Sequence, residues 1–98
     1  MIAILWRYRV APAAAPAFEA AYGPAGDWAK LFGQAAGFVR TELLREGDGV
    51  YATLDYWSDR ASFEAFKRVF GEDYARLDAE CEALTESEER LGIFEVAA

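Results

Sequence analysis

The stretch from Phe38 to Trp57 restricts the fold of this chain more than any other, because it reads as two strands joined by a short turn. The strands are Phe38–Arg45 and Val50–Trp57, and the turn between them is Glu46-Gly47-Asp48-Gly49. Two strands joined by a glycine-bearing turn of this length predict a β-hairpin. The fold therefore contains an antiparallel sheet, which the remaining segments must extend or cover.

The two ends of the chain supply two further strands. From Ile2 to Val10 the side chains alternate, with Trp6 and Tyr8 on the apolar face and Arg7 on the other. Alternation with a period of two residues is typical of a half-buried strand. The segment 91–96 predicts a fourth strand that closes the chain.

The segment between the first two strands predicts two helices. The first is expected to end at Gly23, which would cap it in a left-handed conformation. The second is expected to have Asp27 as its N-cap, to bury Trp28 and Phe32 on one side, and to end at Gly37.

A long helical pattern follows the hairpin. It begins at Asp59, repeats apolar residues every three or four positions as far as Leu84, and contains Gly71, which is expected to bend or divide it. Thr85 and Glu88 have the spacing of a capping box. A short turn of helix is therefore expected after Leu84.

The order strand, two helices, two strands, helix, strand predicts an α+β fold, the ferredoxin-like split βαβ sandwich. In this fold a four-stranded antiparallel sheet has helices on one face. The other face carries Leu5 among Arg7 and Arg9, and a second copy of the chain is the simplest cover for such a half-apolar surface. We expect one domain over residues 1–98, paired into a homodimer.

Charge and composition narrow the classes of partner. Seventeen acidic and ten scattered basic residues give a net charge of −7, so we expect no nucleic acid partner. No apolar run approaches the roughly 20 residues that span a bilayer, and the opening MIAILWRYRV reads as a strand rather than a signal peptide. The single Cys81 fits a reducing compartment. We expect a cytoplasmic protein with no membrane partner.

Histidine and asparagine are absent from the whole sequence. Their absence excludes His-based catalytic triads, His-ligated zinc and a haem held by a proximal His. The run from Glu72 to Glu89 holds many carboxylates but no Asp-x-Asp-x-Asp-Gly calcium loop, so it predicts a solvated helix face. We expect neither a metal nor a cofactor.

Three stretches of the sequence resemble the antibiotic-biosynthesis-monooxygenase-like (ABM) family of the dimeric α/β-barrel superfamily. YRVAPA, followed by Phe18 and Glu19, is similar to the end of that family's first strand and the F-E pair of its next helix. GFVRTELL is similar to the opening of its second strand, and LDYWSDRASFEAF to the W-S signature that ends its third. The resemblance implies a dimeric α/β barrel.

The resemblance also implies a range of activities. The family includes cofactor-free oxygenases of polycyclic quinols, haem-degrading monooxygenases and quinol oxygenases. Trp57 matches the strand-three tryptophan that lines the pocket of several members. Trp6 stands where haem-degrading members carry an asparagine, and their helix histidine has no counterpart here. The departure argues against haem degradation.

A pocket between the helices and the sheet of each subunit is a further implication of the resemblance. The same aromatic residues would suit an ordinary core, so both interpretations stay open. The expected walls are Trp6, Tyr8, Tyr22, Trp28, Phe32, Trp57, Phe66, Phe70 and Tyr74.

Four polar side chains are candidates for catalysis. Tyr22 and Tyr74 offer hydroxyls that can orient or deprotonate a phenolic substrate, and Arg40 can stabilise an enolate or phenolate oxygen. Asp55 lies on the same strand face as Trp57, where a partly buried carboxylate with a raised pKa can act as a base.

Each of these candidates also has a structural interpretation. Arg40 can form a cross-strand ion pair. Asp55 can be a hydrogen-bonded structural residue or a dimer contact to Arg7 or Arg9. Cys81 lies in the apolar stripe of the long helix, where a buried, inert thiol is expected.

Two functions follow from these observations, and the sequence leaves both catalysis and binding open. The first is a cofactor-independent monooxygenase acting on a small electron-rich aromatic substrate of the quinol or anthrone type. There the substrate carbanion reduces O₂, and the protein deprotonates the substrate, holds the enolate and excludes water. The second is a non-catalytic dimeric module that binds a small apolar or aromatic molecule or stabilises an assembly.

Overall fold

The computed structural model describes residues 1–97, whose strands and helices follow the predicted order. The strands are β1 (Ile2–Arg9), β2 (Phe38–Arg45), β3 (Val50–Trp57) and β4 (Ser87–Glu95). The α-helices are α1 (Ala15–Tyr22), α2 (Asp27–Phe32), α3 (Arg60–Val69) and α4 (Gly71–Cys81). Short 3₁₀ turns lie at Pro12–Ala14 and Glu82–Leu84.

The four strands form one antiparallel sheet in the order β2-β3-β1-β4. This topology confirms the predicted ferredoxin-like α+β fold. The predicted bounds of β2 and β3 are confirmed too. In the turn between them, Gly47 and Gly49 have φ values of 68° and 73°, a left-handed region that favours glycine.

One face of the sheet is covered by the helices and holds the core. Along β3, the buried residues Tyr51, Thr53, Asp55 and Trp57 alternate with partly exposed ones. Trp57 has no exposed surface, and its ring centroid lies 5.3 Å from that of Phe66 on α3. The alternation predicted from the sequence therefore sets which β3 side chains reach the interior.

The opposite face, which we call the open face, is not covered by any helix within residues 1–97. It carries Leu5, Leu54 and Arg7 on the two central strands. On the edge strands, Leu44 and Phe94 are 51% and 50% exposed. The open face thus has the mixed apolar and charged character that the sequence predicted.

A β-bulge interrupts the pairing of the edge strand β4 with β1. Leu5 pairs with Gly92 and Trp6 pairs with Arg90, so Leu91 has no partner on β1. An extra residue in one strand reverses the side to which the residues beyond it point. Arg90 therefore lies on the helix-covered face, beside Trp6.

A second bulge lies in the other edge strand, β2. Phe38 pairs with Trp57 and Arg40 pairs with Tyr56, which leaves Val39 unpaired. Phe38 packs into the core beside Trp57, with ring centroids 5.2 Å apart. Arg40 lies on the open face.

The first helix ends at Gly23 as predicted, but the predicted left-handed conformation of this cap is wrong, and so is the predicted N-cap of α2. Gly23 has φ −74° and ψ 174°, which is extended rather than left-handed. Glycine is needed there for space, because a Cβ would lie 2.8 Å from the carbonyl oxygen of Glu19. The N-cap of α2 is Gly26, and Asp27 is the first helical residue.

The second helix is shorter than predicted, since α2 ends at Phe32 and not at Gly37. The N–H groups of Gln34 and Ala35 donate to carbonyls three residues back, at 3.2 and 3.0 Å. Such bonds tighten the chain out of the α-helix into turns. Gly37, with φ +91°, then leads into β2.

The capping box predicted at Thr85 is wrong as well. Thr85 is extended, with φ −124° and ψ 142°, and the N–H of Glu86 donates to the carbonyl oxygen of Arg9 at 2.7 Å. The chain is therefore already bonded beside the end of β1, and no helical turn can form. As a result β4 begins at Ser87, four residues before the predicted Leu91.

The remaining predictions for the long helical segment are confirmed. Asp59 caps α3 by accepting a hydrogen bond from the N–H of Ser62 at 2.7 Å. Gly71 divides α3 from α4. Over residues 1–97, no helix combines the length and apolar character needed to cross a bilayer.

Candidate functional site

Asp55 is the most unusual polar residue of the helix-covered face. It lies in the middle of β3 and is 8% exposed, with Thr53 and Trp57 as its buried neighbours on that face. One of its carboxylate oxygens, Oδ1, accepts a hydrogen bond from the hydroxyl of Thr41 on β2 at 2.7 Å. The sheet therefore holds this carboxyl group in a fixed place inside the protein.

Burial raises the pKa of Asp55 to about 6 from an ordinary value of 3.8, because the ionised form loses its hydration. The hydrogen bond from Thr41 acts in the opposite direction, since it favours the carboxylate. A carboxyl group with a pKa near 6 is mostly ionised at pH 7 and can still hold a proton for a short time. These are the properties of a general base.

A cavity of about 300 Å³, which we call the aromatic cavity, lies between the sheet and the helices at Asp55. Its apolar wall consists of Ile4, Trp6, Phe32, Trp57 and Phe63. The polar groups that line it are those of Asp55, Lys67, Tyr74 and Arg90. Its size lies at the lower end of the range for cavities that bind small molecules.

A second cavity of about 30 Å³, which we call the polar cavity, adjoins the first. Trp6, Phe32, Asp55 and Tyr74 line both. This volume is sufficient for a water molecule. The residues that line the polar cavity alone are mostly polar, namely Tyr8, Tyr22, Trp28, Thr41, Thr53, Asp78 and Glu88.

Three tyrosine hydroxyls line the polar cavity, and all remain protonated at neutral pH. Burial raises the pKa values of Tyr8, Tyr22 and Tyr74. The hydroxyl of Tyr8 forms a hydrogen bond with Thr53 Oγ1 at 3.1 Å. These groups can therefore donate hydrogen bonds to a bound oxygen, but they are poor bases.

Two indole N–H groups are buried without a hydrogen-bond partner in residues 1–97, those of Trp28 and Trp57. Trp28 lines the polar cavity and Trp57 the aromatic cavity. A buried donor without an acceptor costs about 1–3 kcal/mol.

The structure brings most of the predicted site residues together. Of the four candidates for catalysis, Asp55, Tyr22 and Tyr74 line a cavity. Of the predicted walls, Phe66 and Phe70 line neither. Phe66 lies behind Phe32, with ring centroids 5.2 Å apart, and Phe70 stacks on Phe66 at 5.6 Å. The predicted walls that line a cavity are Trp6, Tyr8, Tyr22, Trp28, Phe32, Trp57 and Tyr74.

Arg40 is not brought to this site. Its guanidinium carbon lies 4.1 Å from the centroid of the Tyr56 ring, on the open face. The ion pair that the sequence allowed for Arg40 is not present among residues 1–97 either. Arg7 lies on the open face as well, and its partner is Glu46, at 3.1 Å. Asp55 therefore contacts neither of these arginines within the chain.

Several cavity residues were not identified from the sequence. Thr41 and Thr53 could have been found by extending the alternation of β2 and β3 around Asp55. Lys67 is an ordinary solvent-side residue of a helical pattern, and nothing in the sequence singles it out. Arg90 was missed because β4 was predicted to begin after it.

The remaining chemically active groups lie elsewhere. Cys81 is buried, and burial raises the pKa of its thiol, so it stays protonated as predicted. Within residues 1–97, no three or more His, Cys, Asp or Glu side chains are grouped so that they could hold a metal ion. Asp55 is therefore the centre of the candidate site.

Solved structures share this architecture over nearly the whole chain. The crystal structure of SnoaB, a cofactor-independent oxygenase from Streptomyces nogalater, is 27% identical, with a TM-score of 0.73 over 99% of this chain and 93% of that chain. A SnoaB variant gives a TM-score of 0.78 over the same shares of the two chains.

More distant structures show the fold alone. A variant of MhuD, crystallised with two manganese protoporphyrin IX molecules per active site, is 20% identical over 100% of this chain and 96% of that one, with a TM-score of 0.70. PA3566 from Pseudomonas aeruginosa is 19% identical over 98% and 94% of the two chains, with a TM-score of 0.66.

The sequence comparisons agree with the structural ones. No curated protein sequence matches the chain. The family model described as antibiotic biosynthesis monooxygenase matches residues 1–69. Because this match covers more than half of the 98 residues and the structure has the corresponding fold, the chain belongs to the antibiotic biosynthesis monooxygenase family.

Proposed function

We propose that this protein is a cofactor-independent monooxygenase that acts on a small electron-rich aromatic substrate of the quinol or anthrone type. The observation that carries the proposal is the position of Asp55, a buried carboxyl group with a pKa of about 6 that lines an aromatic cavity of about 300 Å³. Such a group can take an acidic proton from a ring held between aromatic side chains. The resemblance to SnoaB, itself a cofactor-independent oxygenase, supports the same class of reaction.

The reaction begins with proton transfer from the substrate to Asp55. For an anthrone-type methylene flanked by two rings, loss of this proton leaves a delocalised carbanion, whose charge rests largely on the phenolic or enolic oxygen. The carbanion passes one electron to O₂, and the resulting radical and superoxide combine to form a C–O bond. The peroxide takes a proton and then loses water, so that the methylene and O₂ become a ketone and H₂O.

The developing oxyanion needs a hydrogen-bond donor inside the cavity. The protonated hydroxyl of Tyr74, a residue that lines the cavity, is the available group. It takes the role that the sequence suggested for Arg40, which lies on the open face. Preorganised donors of this kind stabilise charge in the transition state.

The polar cavity gives the proton on Asp55 a route away from the substrate. It holds space for a water molecule beside Asp55, and it is lined by Asp78 and Glu88. Burial, together with the charge of Asp78, raises the pKa of Glu88. A water between Asp55 and Glu88 would carry the proton from one to the other and return it to the peroxide.

Oxygen consumption by purified protein tests the proposal. We expect turnover of anthrone or a dihydroxynaphthalene in buffer with a metal chelator and no flavin, and a loss of roughly 10²–10⁴-fold in kcat/KM for Asp55→Asn, the usual contribution of a general base. Asp48→Asn, in the exposed hairpin turn, is the matched control and should keep full activity.

Two outcomes would contradict the proposal. Turnover that survives Asp55→Asn would remove Asp55 from the mechanism. Tight binding of anthrone or the dihydroxynaphthalene without any oxygen uptake would favour the other function considered, a non-catalytic module for small ligands.

We also propose that the protein works as a homodimer joined through the open face. The exposed apolar residues Leu44 and Phe94 lie there beside charged ones, and no helix within residues 1–97 covers them. Light scattering should give a particle of about twice the 10.9 kDa chain mass at micromolar concentration. A particle of 10.9 kDa under these conditions would refute the dimer.

A further inference from the structure

Two exposed cationic residues line the aromatic cavity, although the chain as a whole is acidic. Lys67 on α3 and Arg90 on β4 both line it, while the net charge of the protein is −7. No other Lys or Arg of residues 1–97 lines this cavity or the polar cavity. The positive charge is therefore confined to one part of the site.

Arg90 is available to bind an anion. No carboxylate within residues 1–97 forms an ion pair with it. Arg90 also lies near Tyr74, the hydroxyl-bearing residue of the cavity: burial raises the pKa of Tyr74, and the charge of Arg90 is the smallest contribution and the one that opposes this rise. A guanidinium group next to a cavity, with no ion-pair partner in the part of the chain that the structure describes, fits the planar geometry of a carboxylate.

Lys67 is less free than Arg90. It forms an ion pair with Glu64 on the same helix at 3.4 Å, and it lies over the ring of Phe63 at 4.9 Å. Because Phe63 is itself part of the cavity wall, the ammonium group is held at the edge of the cavity. Lys67 can thus add positive charge, while Arg90 supplies the directional contact.

The acidic residues of the site lie on the other side of Asp55. Glu88 pairs with Tyr8 and Arg90 pairs with Trp6, so the two charges follow each other along the helix-covered face of β4. Glu88 and Asp78 line the polar cavity and not the aromatic one. An anionic ligand would be repelled at that end and attracted at the end of Arg90, which fixes its direction in the site.

We propose that the aromatic cavity accepts substrates that carry a carboxylate, bound by Arg90 with Lys67 while the reacting ring lies against Trp6 and Trp57 beside Asp55. The inference rests on the proposed function only in requiring that an aromatic ring occupies this cavity. It defines the substrate class more narrowly, as aromatic acids rather than neutral aromatics.

Calorimetric titration with two unreactive probes tests the inference independently of turnover. 2-Naphthoate and 2-naphthamide have the same ring and nearly the same shape, but only the first is charged. At low ionic strength and pH 7.5, the wild-type protein is expected to bind 2-naphthoate about tenfold more tightly than 2-naphthamide, and the ratio should fall in 0.5 M salt, which screens exposed charges.

Arg90→Gln should reduce the preference to less than about twofold while leaving the affinity for 2-naphthamide unchanged. Arg90→Lys keeps the charge but loses the planar contact, so it should retain part of the preference. Arg76→Gln is the matched control, because Arg76 pairs with Asp73 on the outer side of α4 and should not affect either probe.

Equal affinity of the wild-type protein for the two probes would overturn the inference, and so would a preference that survives Arg90→Gln. Failure of both probes to bind would overturn it too, because the cavity would then not accept an aromatic ring. The proposed oxygenase activity is tested separately: a carboxylate preference in a protein that consumes no oxygen would uphold the binding site and refute the enzyme.

Discussion

The two cavities that meet at Asp55 differ in size, polarity and charge. The aromatic cavity has about 300 Å³ and cations at its edge, whereas the polar cavity has about 30 Å³, three tyrosine hydroxyls and two further carboxylates. One carboxyl group thus faces both a space large enough for a ring and a space suited to water. Under the proposed function, substrate binding and proton transfer would take place on opposite sides of this single residue.

The largest expected effect concerns the free energy of unfolding, because Asp55 is a buried carboxyl group at the point where the two cavities meet. The difference between a pKa of about 6 in the folded protein and 3.8 in the unfolded chain corresponds to about 3 kcal/mol at about 1.4 kcal/mol per pKa unit. Below pH 3.8 the carboxyl group is protonated in both states, and its burial does not lower the free energy of unfolding. As the pH rises from 3.8 through 6, the unfolded chain ionises before the folded protein does, so about 3 kcal/mol of stability is lost.

The stability of Asp55→Asn relative to the wild type should therefore increase as the pH rises. We expect the difference in unfolding free energy between the two proteins to grow by about 3 kcal/mol in favour of Asp55→Asn between pH 3.5 and 7.5, measured by urea denaturation. Asp48→Asn provides the reference for a carboxylate outside both cavities. A difference that does not change with pH would show that Asp55 is not buried as an acid.

A smaller effect is expected from filling the aromatic cavity alone. Gly71 lines this cavity and not the polar one, and a Cβ at this position would have no heavy atom within 4 Å. Gly71→Leu should place its side chain in the free volume and weaken 2-naphthamide binding by roughly tenfold, about 1.4 kcal/mol. Gly71→Ala, at the first position of α4, should keep most of the affinity.

The polar cavity should be unaffected by that change. If Gly71→Leu left the affinity intact, the ring would have to bind elsewhere, and the contrast between the two cavities would lose its basis. Calorimetry on the two Gly71 variants distinguishes these cases.

The smallest effect is expected at Thr41, which lines only the polar cavity. Its hydrogen bond favours the ionised form of Asp55, so Thr41→Val should raise the pKa of Asp55 further, by roughly half a unit to one unit for a bond worth about 1 kcal/mol. The acidic limb of the pH profile of kcat/KM should move upward by that amount. An unchanged or lowered limb would mean that another group controls it.

The sequence predicted the fold and the face of the sheet on which Asp55 lies because both depend on local patterns. Alternation along β3 was enough to place Asp55 and Trp57 on one face. How deeply these two side chains are buried depends on the helices that cover this face, and the alternation along β3 says nothing about those helices. The pKa of Asp55 could therefore be suggested from the sequence but not assigned.

Some of the errors lie where contacts between distant parts of the chain override local signals. The capping box predicted at Thr85 does not form, because the hydrogen bond from the N–H of Glu86 to the carbonyl oxygen of Arg9 holds the chain beside β1. The error at Gly23 is local: glycine is needed there because a Cβ would lie 2.8 Å from the carbonyl oxygen of Glu19, and not because the backbone is left-handed. Simple alternation from Phe38 would place Arg40 on the helix-covered face, whereas the unpaired Val39 turns it away.

The register of the edge strands has a consequence for how this site could diversify. If Leu91 were paired with Trp6 in a regular ladder, Arg90 would face away from the interior, and if Val39 were paired with Tyr56, Arg40 would face into it. A shift in the position of a bulge, which moves the pairing of an outer strand by one residue, can therefore add or remove a charge in the pocket while no amino acid is substituted. Related chains of nearly equal length could in this way prefer acidic or neutral substrates on the same scaffold.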